Sequence, residues 1–330
     1  MSAATRLSLA LETGHVALPE DGTIAFFRPP SDLPDLIDRT RVQVIHGFRP
    51  THDAFAARGY DTRPTAQGPF AAAIVFLPRA RAHAHAMIAK AMSLTTAGNP
   101  VIIDGSKTDG IESILKSLRK DGFAPGEALS KAHGKTFTVN AQPIPAWAAT
   151  ETTLPSGQVT RPGAFSADGI DPASALLASA LPPLNGTIAD LGAGWGYLSG
   201  EVLKSDKVET CHLIEAEYDA LDAARQNITD PRAHFHWADA TTFDAVKGFD
   251  HIVTNPPFHT SRSADPALGQ AFIQASARLI APRGTVWLVA NRHLPYESAL
   301  RQNFAELTEL PGDKGFKLYR ASRPKAKKAR

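Results

Sequence analysis

The chain holds a single cysteine in 330 residues, so no disulfide can form within it, and a reducing, cytoplasmic location is the expectation. Long apolar runs are missing too. The longest obvious one, Phe70 to Leu77, falls well short of the roughly 18 residues that a membrane helix needs, so no membrane partner is expected. The first twenty residues include Arg6, Glu12, His15 and Glu20 without a sustained apolar core, which argues against a signal peptide. Cysteine clusters and His-Glu helix motifs are absent. His83 and His85 lie two residues apart on a helix-like run, a spacing that splays them, so no metal site is expected. The lone Cys211 sits in an apolar stretch and reads as a small buried strand residue.

What is present suits a globular protein of two domains: the length exceeds one ordinary core, and 43% of residues are apolar against 21% charged. The net charge of +2 conceals an asymmetry. Residues 1–150 carry 16 Lys+Arg against 13 Asp+Glu, residues 151–319 carry 13 against 20, and residues 320–330 carry six against none. A polyanion would therefore be held by the first segment and the C-terminal tail rather than by the acidic middle.

Residues 141–162, with Pro143, Pro145, Pro155, Pro162, Gly157 and Gly163 just beyond, have little apolar periodicity and read as an interdomain connection. This places a first domain at residues 1–140, a second at 163–321 and a basic tail at 322–330. In the second domain short apolar runs alternate with helical stretches. Helices are expected at Asp171 to Ala180 (Asp171 as N-cap, Pro172 at the first helical position), Gly196 to Lys204, Tyr218 to Ile228, Pro266 to Ile280 and Glu297 to Asn303. Strands are expected at Gly186 to Leu191, Glu209 to Glu215, Ala233 to Ala238, Phe249 to Thr254 and Thr285 to Ala290. Phe304 to Glu309 and Gly315 to Ala321 form a closing antiparallel pair. Such alternation implies a mostly parallel sheet covered on both faces, an α/β class.

The first domain echoes the second. Ile74-Val75-Phe76-Leu77-Pro78-Arg79 resembles Ile252-Val253-Thr254-Asn255-Pro256-Pro257. Val101-Ile102-Ile103 and Glu112-Ser113-Ile114-Leu115 align without a gap onto Val286-Trp287-Leu288 and Glu297-Ser298-Ala299-Leu300. The repeated order suggests duplication. The first copy lacks a glycine turn in residues 1–70 and has Leu77-Pro78 in line with Asn255-Pro256, so it is expected to serve as scaffold or RNA platform.

The chemistry lies in two motifs. Asp190-Leu191-Gly192-Ala193-Gly194-Trp195-Gly196 follows a strand and opens a helix, and its glycines let the backbone turn tightly and approach a ligand. A glycine turn alone also fits a dinucleotide. Two acids favour S-adenosylmethionine: Asp190 can accept from the methionine ammonium or order water there, where a pyrophosphate would be repelled, and Glu215, ending the next strand, can accept both ribose hydroxyls. Asp239 can accept from the adenine amino group or serve as a turn cap, and Phe165 can cover the methionine end, with Ser166 or Asp171 bonding to it. Ala193 completes the cofactor turn.

The second motif is Asn255-Pro256-Pro257-Phe258. The lone pair of an exocyclic amine on a purine is delocalised and poorly nucleophilic. The Asn255 side-chain carbonyl and the Pro256 backbone carbonyl can hold both amino hydrogens and turn the lone pair toward a methyl donor. The prolines stiffen that geometry, and Phe258 offers a ring for stacking. His259 can contact phosphate or base, or cap a turn. This acceptor pair suits guanine N2, adenine N6 and a protein glutamine amide alike. A non-catalytic assembly factor binding the same ligands is the contrasting reading.

The sequence resembles the bacterial small-subunit ribosomal RNA guanine-N2 methyltransferases. The matching stretches are Gly163-Ala164-Phe165-Ser166, Asp168-Gly169-Ile170-Asp171, Asp190 to Gly196, Asn255-Pro256-Pro257-Phe258-His259, Val289-Ala290-Asn291 with Leu294-Pro295-Tyr296, and Phe316-Lys317-Leu318-Tyr319-Arg320-Ala321. The resemblance implies two Rossmann-like methyltransferase domains in tandem, the first degenerate and the second with a seven-stranded, mainly parallel sheet. It also implies S-adenosyl-L-methionine as cofactor and methylation of the guanine 2-amino group in 16S ribosomal RNA or the small subunit. In the first domain only Gly105-Ser106-Lys107 with Gly110-Ile111-Glu112-Ser113 matches well.

Overall fold

The structure, a computed structural model, describes residues 3–257 and 266–326. They divide into two units, Met1–Glu151 with Arg161–Gly163, and Thr152–Thr160 with Ala164–Arg330. The first unit contains strands β1 (Ile24–Phe27), β2 (Val42–Ile45), β3 (Asp61–Arg63), β4 (Ala72–Phe76), β5 (Pro100–Ser106), β6 (Leu129–Lys131) and β7 (Gly134–Asn140). Its helices are α1 (Ala3–Glu12), α2 (Arg49–Ala57), α3 (Arg81–Leu94) and α4 (Ile111–Lys120). The second unit begins with a short hairpin, β8 (Thr152–Thr153) and β9 (Val159–Thr160). It continues through α5 (Pro172–Ala180), β10 (Gly186–Leu191), α6 (Tyr197–Val202), β11 (Val208–Glu215), α7 (Tyr218–Asn227), β12 (Ala233–Trp237) and β13 (Phe249–Thr254). It ends with α8 (Pro266–Leu279), β14 (Ile280–Asn291), α9 (Tyr296–Asn303), β15 (Phe304–Leu310) and β16 (Phe316–Pro324).

Each unit is built on a seven-stranded sheet, and the two sheets have one topology. The orders are β3-β2-β1-β4-β5-β7-β6 and β12-β11-β10-β13-β14-β16-β15. In both, the last two pairings are antiparallel and the rest parallel. Strands such as Ala72–Phe76 are buried on both faces, as a parallel sheet sandwiched between helices requires. Apolar clusters flank both faces of each sheet. The duplication inferred from sequence is therefore a duplication of fold.

Strand pairing corrects one detail of that inference. Phe27 pairs with Val75 and Ile45, and Leu191 pairs with Thr254 and Ile214; Val75 in turn pairs with Ile103, and Thr254 with Leu288. Val75 thus stands where Thr254 stands, and Phe76, not Leu77, occupies the place of Asn255. The echo of Ile74 with Ile252 is one residue out of register. A one-residue slip reverses the faces of a strand, and indeed Ile74 and Ile252 lie in clusters on opposite sides. The alignment of Val101 with Val286 holds. By this register Phe26 replaces Asp190, Arg28-Pro29-Pro30 replaces Gly192-Ala193-Gly194, and His46 replaces Glu215. Phe26 and Phe76 meet edge to face with ring centroids 6.2 Å apart, where the second unit carries a carboxylate and an amide. Further along, Asp104 on β5 is shut in with Arg6 of α1. The guanidinium donates to both carboxylate oxygens, at 2.8 and 2.6 Å, with both residues almost fully buried, and Thr136 donates to the same carboxylate.

The stretch expected to be an open connection is instead divided between the units. Ala141, Ile144 and Trp147 are buried in the first. Trp147 stacks on His85 at 3.9 Å and donates its indole N–H to Asp121 at 2.8 Å. Residues 152–160 belong to the second, where Leu154 packs on Trp195 and Ala223, and Asn227 binds both the N–H and the carbonyl of Val159. Pro145 here starts a short turn instead of marking a linker. The tail is also shorter than expected. β16 runs to Pro324, Glu306 on β15 holds Ser322 and Arg323, and the Lys325 N–H reaches the Asn303 carbonyl at 2.8 Å. A basic composition conceals this ladder, because its partner strand lies in another segment. The remainder of the expected basic tail, residues 327–330, lies outside the described residues.

Candidate active site

The sheet of the second unit brings two segments, about 65 residues apart in sequence, to adjacent strand ends. β10 pairs directly with β13, and Thr254 donates its hydroxyl to the Leu191 carbonyl at 2.7 Å. The glycine turn and Asn255-Pro256 therefore emerge side by side at the carboxyl edge of the sheet, where open α/β sheets bind ligands.

Asp190 is completely buried. One carboxylate oxygen accepts from the Ser199 hydroxyl of α6 at 2.7 Å, while the other, Oδ1, accepts no hydrogen bond from a protein group among the described residues. Burial pushes its pKa up to about 7; the Ser199 bond opposes this and the nearby Glu215 adds to it. A buried oxygen of this kind is costly unless a ligand or a water pairs with it.

The turn beyond Asp190 is pinned to β11. Gly192 and Ala193 donate their N–H groups to the Ile214 carbonyl at 2.9 and 3.2 Å. Glu215 then accepts from the N–H of Gly194 at 2.8 Å and from that of Glu217 at 2.7 Å, and burial raises its pKa. Each of its oxygens keeps further acceptor capacity, so binding the loop and binding hydroxyls are compatible roles. Gly194 has φ +57° and nothing within 4 Å of the place a Cβ would take, whereas a Cβ on Gly196, at φ +92°, would lie 2.8 Å from Ile228. The turn thus presents an open side above Gly194 and is packed against α7 at Gly196, which caps α6.

Trp195 ties a second loop to this turn by donating its indole N–H to the Phe165 carbonyl at 3.1 Å. Phe165 is 57% exposed, and the bond it makes to the glycine turn is through its backbone carbonyl. Asp239 accepts both the N–H and the hydroxyl of Thr241, at 2.8 and 2.7 Å, which makes it a turn cap in this structure. Trp237 donates its indole N–H to the Ala216 carbonyl at 2.9 Å, beside Glu215.

Asn255 is partly buried, and its side-chain nitrogen donates to Asp171 Oδ2 and to Ser174 Oγ, both at 2.9 Å. A carboxylate can only accept, so the amide NH2 must face Asp171, and the amide oxygen faces the other way. Pro256 is buried and Pro257 exposed. Phe258 and His259, singled out in the sequence, lie outside the described residues. The sequence did not reveal Ser174, Ser199 or Thr254. Only the Asp171-Pro172 start of α5 hinted at Ser174, by placing it at the third helical position. Among the described residues no cluster of three or more metal-ligating side chains occurs, and no helix is long and apolar enough to cross a membrane.

Comparison with known proteins agrees with this architecture. A family model described as the methyltransferase small domain matches residues 157–320, and one described as its N-terminal domain matches residues 40–134. The ribosomal RNA small subunit methyltransferase C of Shewanella sp. strain MR-4 is 29% identical over 266 residues, covering 77% of each chain. The protein of the same name from Hahella chejuensis is 27% identical over 264 residues, covering 76% of each. Among solved structures, a T. thermophilus 16S rRNA guanine-N2 methyltransferase in complex with AdoMet and guanosine superposes with a TM-score of 0.79. That match spans 97% of this chain and 91% of the other at 23% identity, a likeness of fold. With the models of the methyltransferase small domain and of its N-terminal domain both matched, the protein belongs to the methyltransferase small-domain family.

Proposed function

We propose that this protein transfers the methyl group of S-adenosylmethionine to the exocyclic 2-amino group of a guanine in 16S ribosomal RNA. The observation that carries the proposal is the fixed orientation of Asn255, whose amide oxygen is left as an acceptor at the edge of a glycine turn backed by an unsatisfied acid. The small-subunit rRNA relatives, and the T. thermophilus enzyme bound to AdoMet and guanosine, favour guanine over the other planar amines that such an acceptor suits.

The residues fit the cofactor. Asp190 Oδ1, without a partner among the described residues, is the proposed acceptor for the ammonium, Glu215 retains lone pairs for ribose hydroxyls, and the open side of Gly194 leaves room for a ligand where a side chain would intrude. S-adenosylmethionine supplies an electrophilic methyl group on its sulfonium sulfur. The Asn255 amide oxygen and the Pro256 carbonyl accept the two amino hydrogens of guanine, which draws the nitrogen lone pair out of conjugation with the ring. Catalysis is then orientation and in-line approach. No strong base is required, because a methylated arylamine cation releases its proton readily. Phe258 is proposed as the stacking partner of the base, and Ala193 and Gly192 as part of the cofactor turn. Asp239, engaged as a turn cap through Oδ1, is proposed to accept from the adenine amino group with its other oxygen, and Phe165 is proposed to cover the methionine end. The first unit, with no acids at the cofactor positions, is proposed to hold rRNA.

Mass spectrometry of nucleosides from small-subunit rRNA tests the reading. Cells without this gene should lack one N2-methylguanosine that cells with it contain. Unchanged N2-methylguanosine, with another methylated nucleoside lost, would redirect the assignment to that base.

A further inference from the structure

The proposed mechanism requires the Asn255 amide to present its oxygen, and never its NH2 group, to the substrate amine. An asparagine at a strand end has no intrinsic preference between these faces, because the amide can rotate by half a turn at little cost. Something else must choose. Two groups 84 and 81 residues earlier touch the amide nitrogen: Asp171 Oδ2 and Ser174 Oγ.

We propose that Asp171 and Ser174 are positioning residues that lock the catalytic amide of Asn255 with its oxygen toward the substrate; this rests on the reading of Asn255 given above. Three observations converge. Asp171 Oδ2 is already held by the Ser174 N–H at 2.8 Å as the N-cap of α5, so the oxygen reaches Asn255 from a fixed point and not from a mobile side chain. Pro172 at the first helical position fixes the backbone between cap and helix. Ser174 is itself buried at the third helical position, where its hydroxyl supplies the second acceptor, so both amide hydrogens are taken. The start of α5 thus serves two purposes through one carboxylate oxygen: it begins a helix, and it sets a carboxylate against the oxygen of a reversed amide, which disfavours that rotamer electrostatically. Released from this clamp, the amide would spend part of its time offering N–H groups to an amine that needs acceptors.

The test uses the full-length protein in five forms: wild type, Ser174→Ala, Asp171→Ala, Asp171→Asn and, to identify signals, Asn255→Ala. Ser174→Ala removes one acceptor and leaves the helix cap in place. Asp171→Asn keeps an acceptor oxygen for both the cap and Asn255, so it is the rescue variant. The first readout is hydrogen exchange of the Asn255 side-chain NH2 followed by 15N NMR, its signals identified by their loss in Asn255→Ala. Protection in the wild type that falls in Ser174→Ala and Asp171→Ala and returns in Asp171→Asn is the expected result; an unprotected wild-type amide overturns the inference. The second readout is methyl transfer to unmethylated small-subunit RNA. For both alanine variants kcat should fall by about 10- to 100-fold, with the KM for RNA and the affinity for S-adenosylmethionine kept, and Asp171→Asn should recover most of it. Wild-type kcat in both alanine variants overturns the inference. A wild-type protein that methylates no guanine overturns the proposed function instead, and the exchange readout still decides the positioning role on its own.

Discussion

The carboxyl group of Asp190 is shut away from water, and burial pushes its pKa up to about 7, so the ligand-free protein keeps a proton on it to a higher pH than an ordinary carboxylate does. An ammonium paired with Oδ1 favours the ionised form and brings the pKa down. The ligand-free state therefore binds more protons than the complex, so binding releases protons near pH 7 and affinity rises with pH up to that point. Calorimetry with S-adenosylmethionine at pH 7, in buffers of differing ionisation enthalpy, should show a net release of protons on binding. Equal apparent enthalpies in all buffers would remove Asp190 from the ammonium site. Asn255 makes a contrasting prediction, because its proposed role is to orient the acceptor and not to hold the donor. Asn255→Ala should leave the affinity for S-adenosylmethionine within a few-fold of wild type and cut methyl transfer by about 100-fold or more. A tritium-transfer assay beside a binding titration checks both halves, and near-normal turnover would discard the mechanism.

Elements are positioned by contacts that local propensity does not forecast. Gly269 lies within α8, where alanine would ordinarily stabilise a helix by about 1 kcal/mol. Here a Cβ would collide with the hydroxyl of Tyr296, and Tyr296 is fully buried at the start of α9. The steric term outweighs the propensity term, so Gly269→Ala should destabilise the second unit by about 1–3 kcal/mol. A denaturation midpoint at or above wild type would show that Tyr296 can move aside. The ion pair of α1 with β5 makes a larger prediction. Asp104→Ala leaves the Arg6 guanidinium buried without its counter-charge, a loss of about 3–5 kcal/mol. Replacing both partners by apolar residues should be much milder. A double variant as unstable as Asp104→Ala alone would show that the cost comes from packing and not from the stranded charge.

Across the whole molecule, charge is divided as function would require. Residues 151–319 carry seven more acids than bases, and residues 1–150 carry three more bases than acids. In the first unit, Arg79 and Lys107 follow neighbouring strands β4 and β5, are exposed, and make no ion pair among the described residues. A polyanion has more to gain there than on the acidic unit. The extension of β16 to Pro324 also decides how the tail should be tested. Cutting at residue 322 would damage the sheet, so removal of residues 327–330 is the clean experiment. If Lys327, Lys328 and Arg330 bind phosphates, the slope of log K against log salt should fall by roughly 0.7–0.9 for each phosphate that the shortened protein no longer neutralises. Superimposable salt titrations of the full-length and shortened proteins would assign RNA binding to the first unit alone.

Much of the fold was determined by sequence alone, because its signals are local. Apolar period, the Asp171-Pro172 helix start, the glycine turn after β10 and the strand-ending Asn255-Pro256 each act within a few residues. They placed most of the second unit's elements close to their observed limits, β14 excepted because it begins five residues earlier at Ile280, and they marked the two motifs that the sheet sets side by side. The tertiary structure alone decided the remainder, and in each case the deciding contact spans a long stretch of chain. Register between strands showed Phe76 in the place of Asn255, although the matching letters pointed one residue further. The two ends of residues 141–160 joined different cores because the apolar partners of Trp147 and Leu154 lie in different units. Arg6 found Asp104 across 98 positions, and the Asn255 amide was oriented by a helix start 84 positions earlier. Hydrogen bonds and charge pairs of this kind depend on which groups the folded sheet brings within about 3 Å of one another, and sequence spacing alone does not encode that distance.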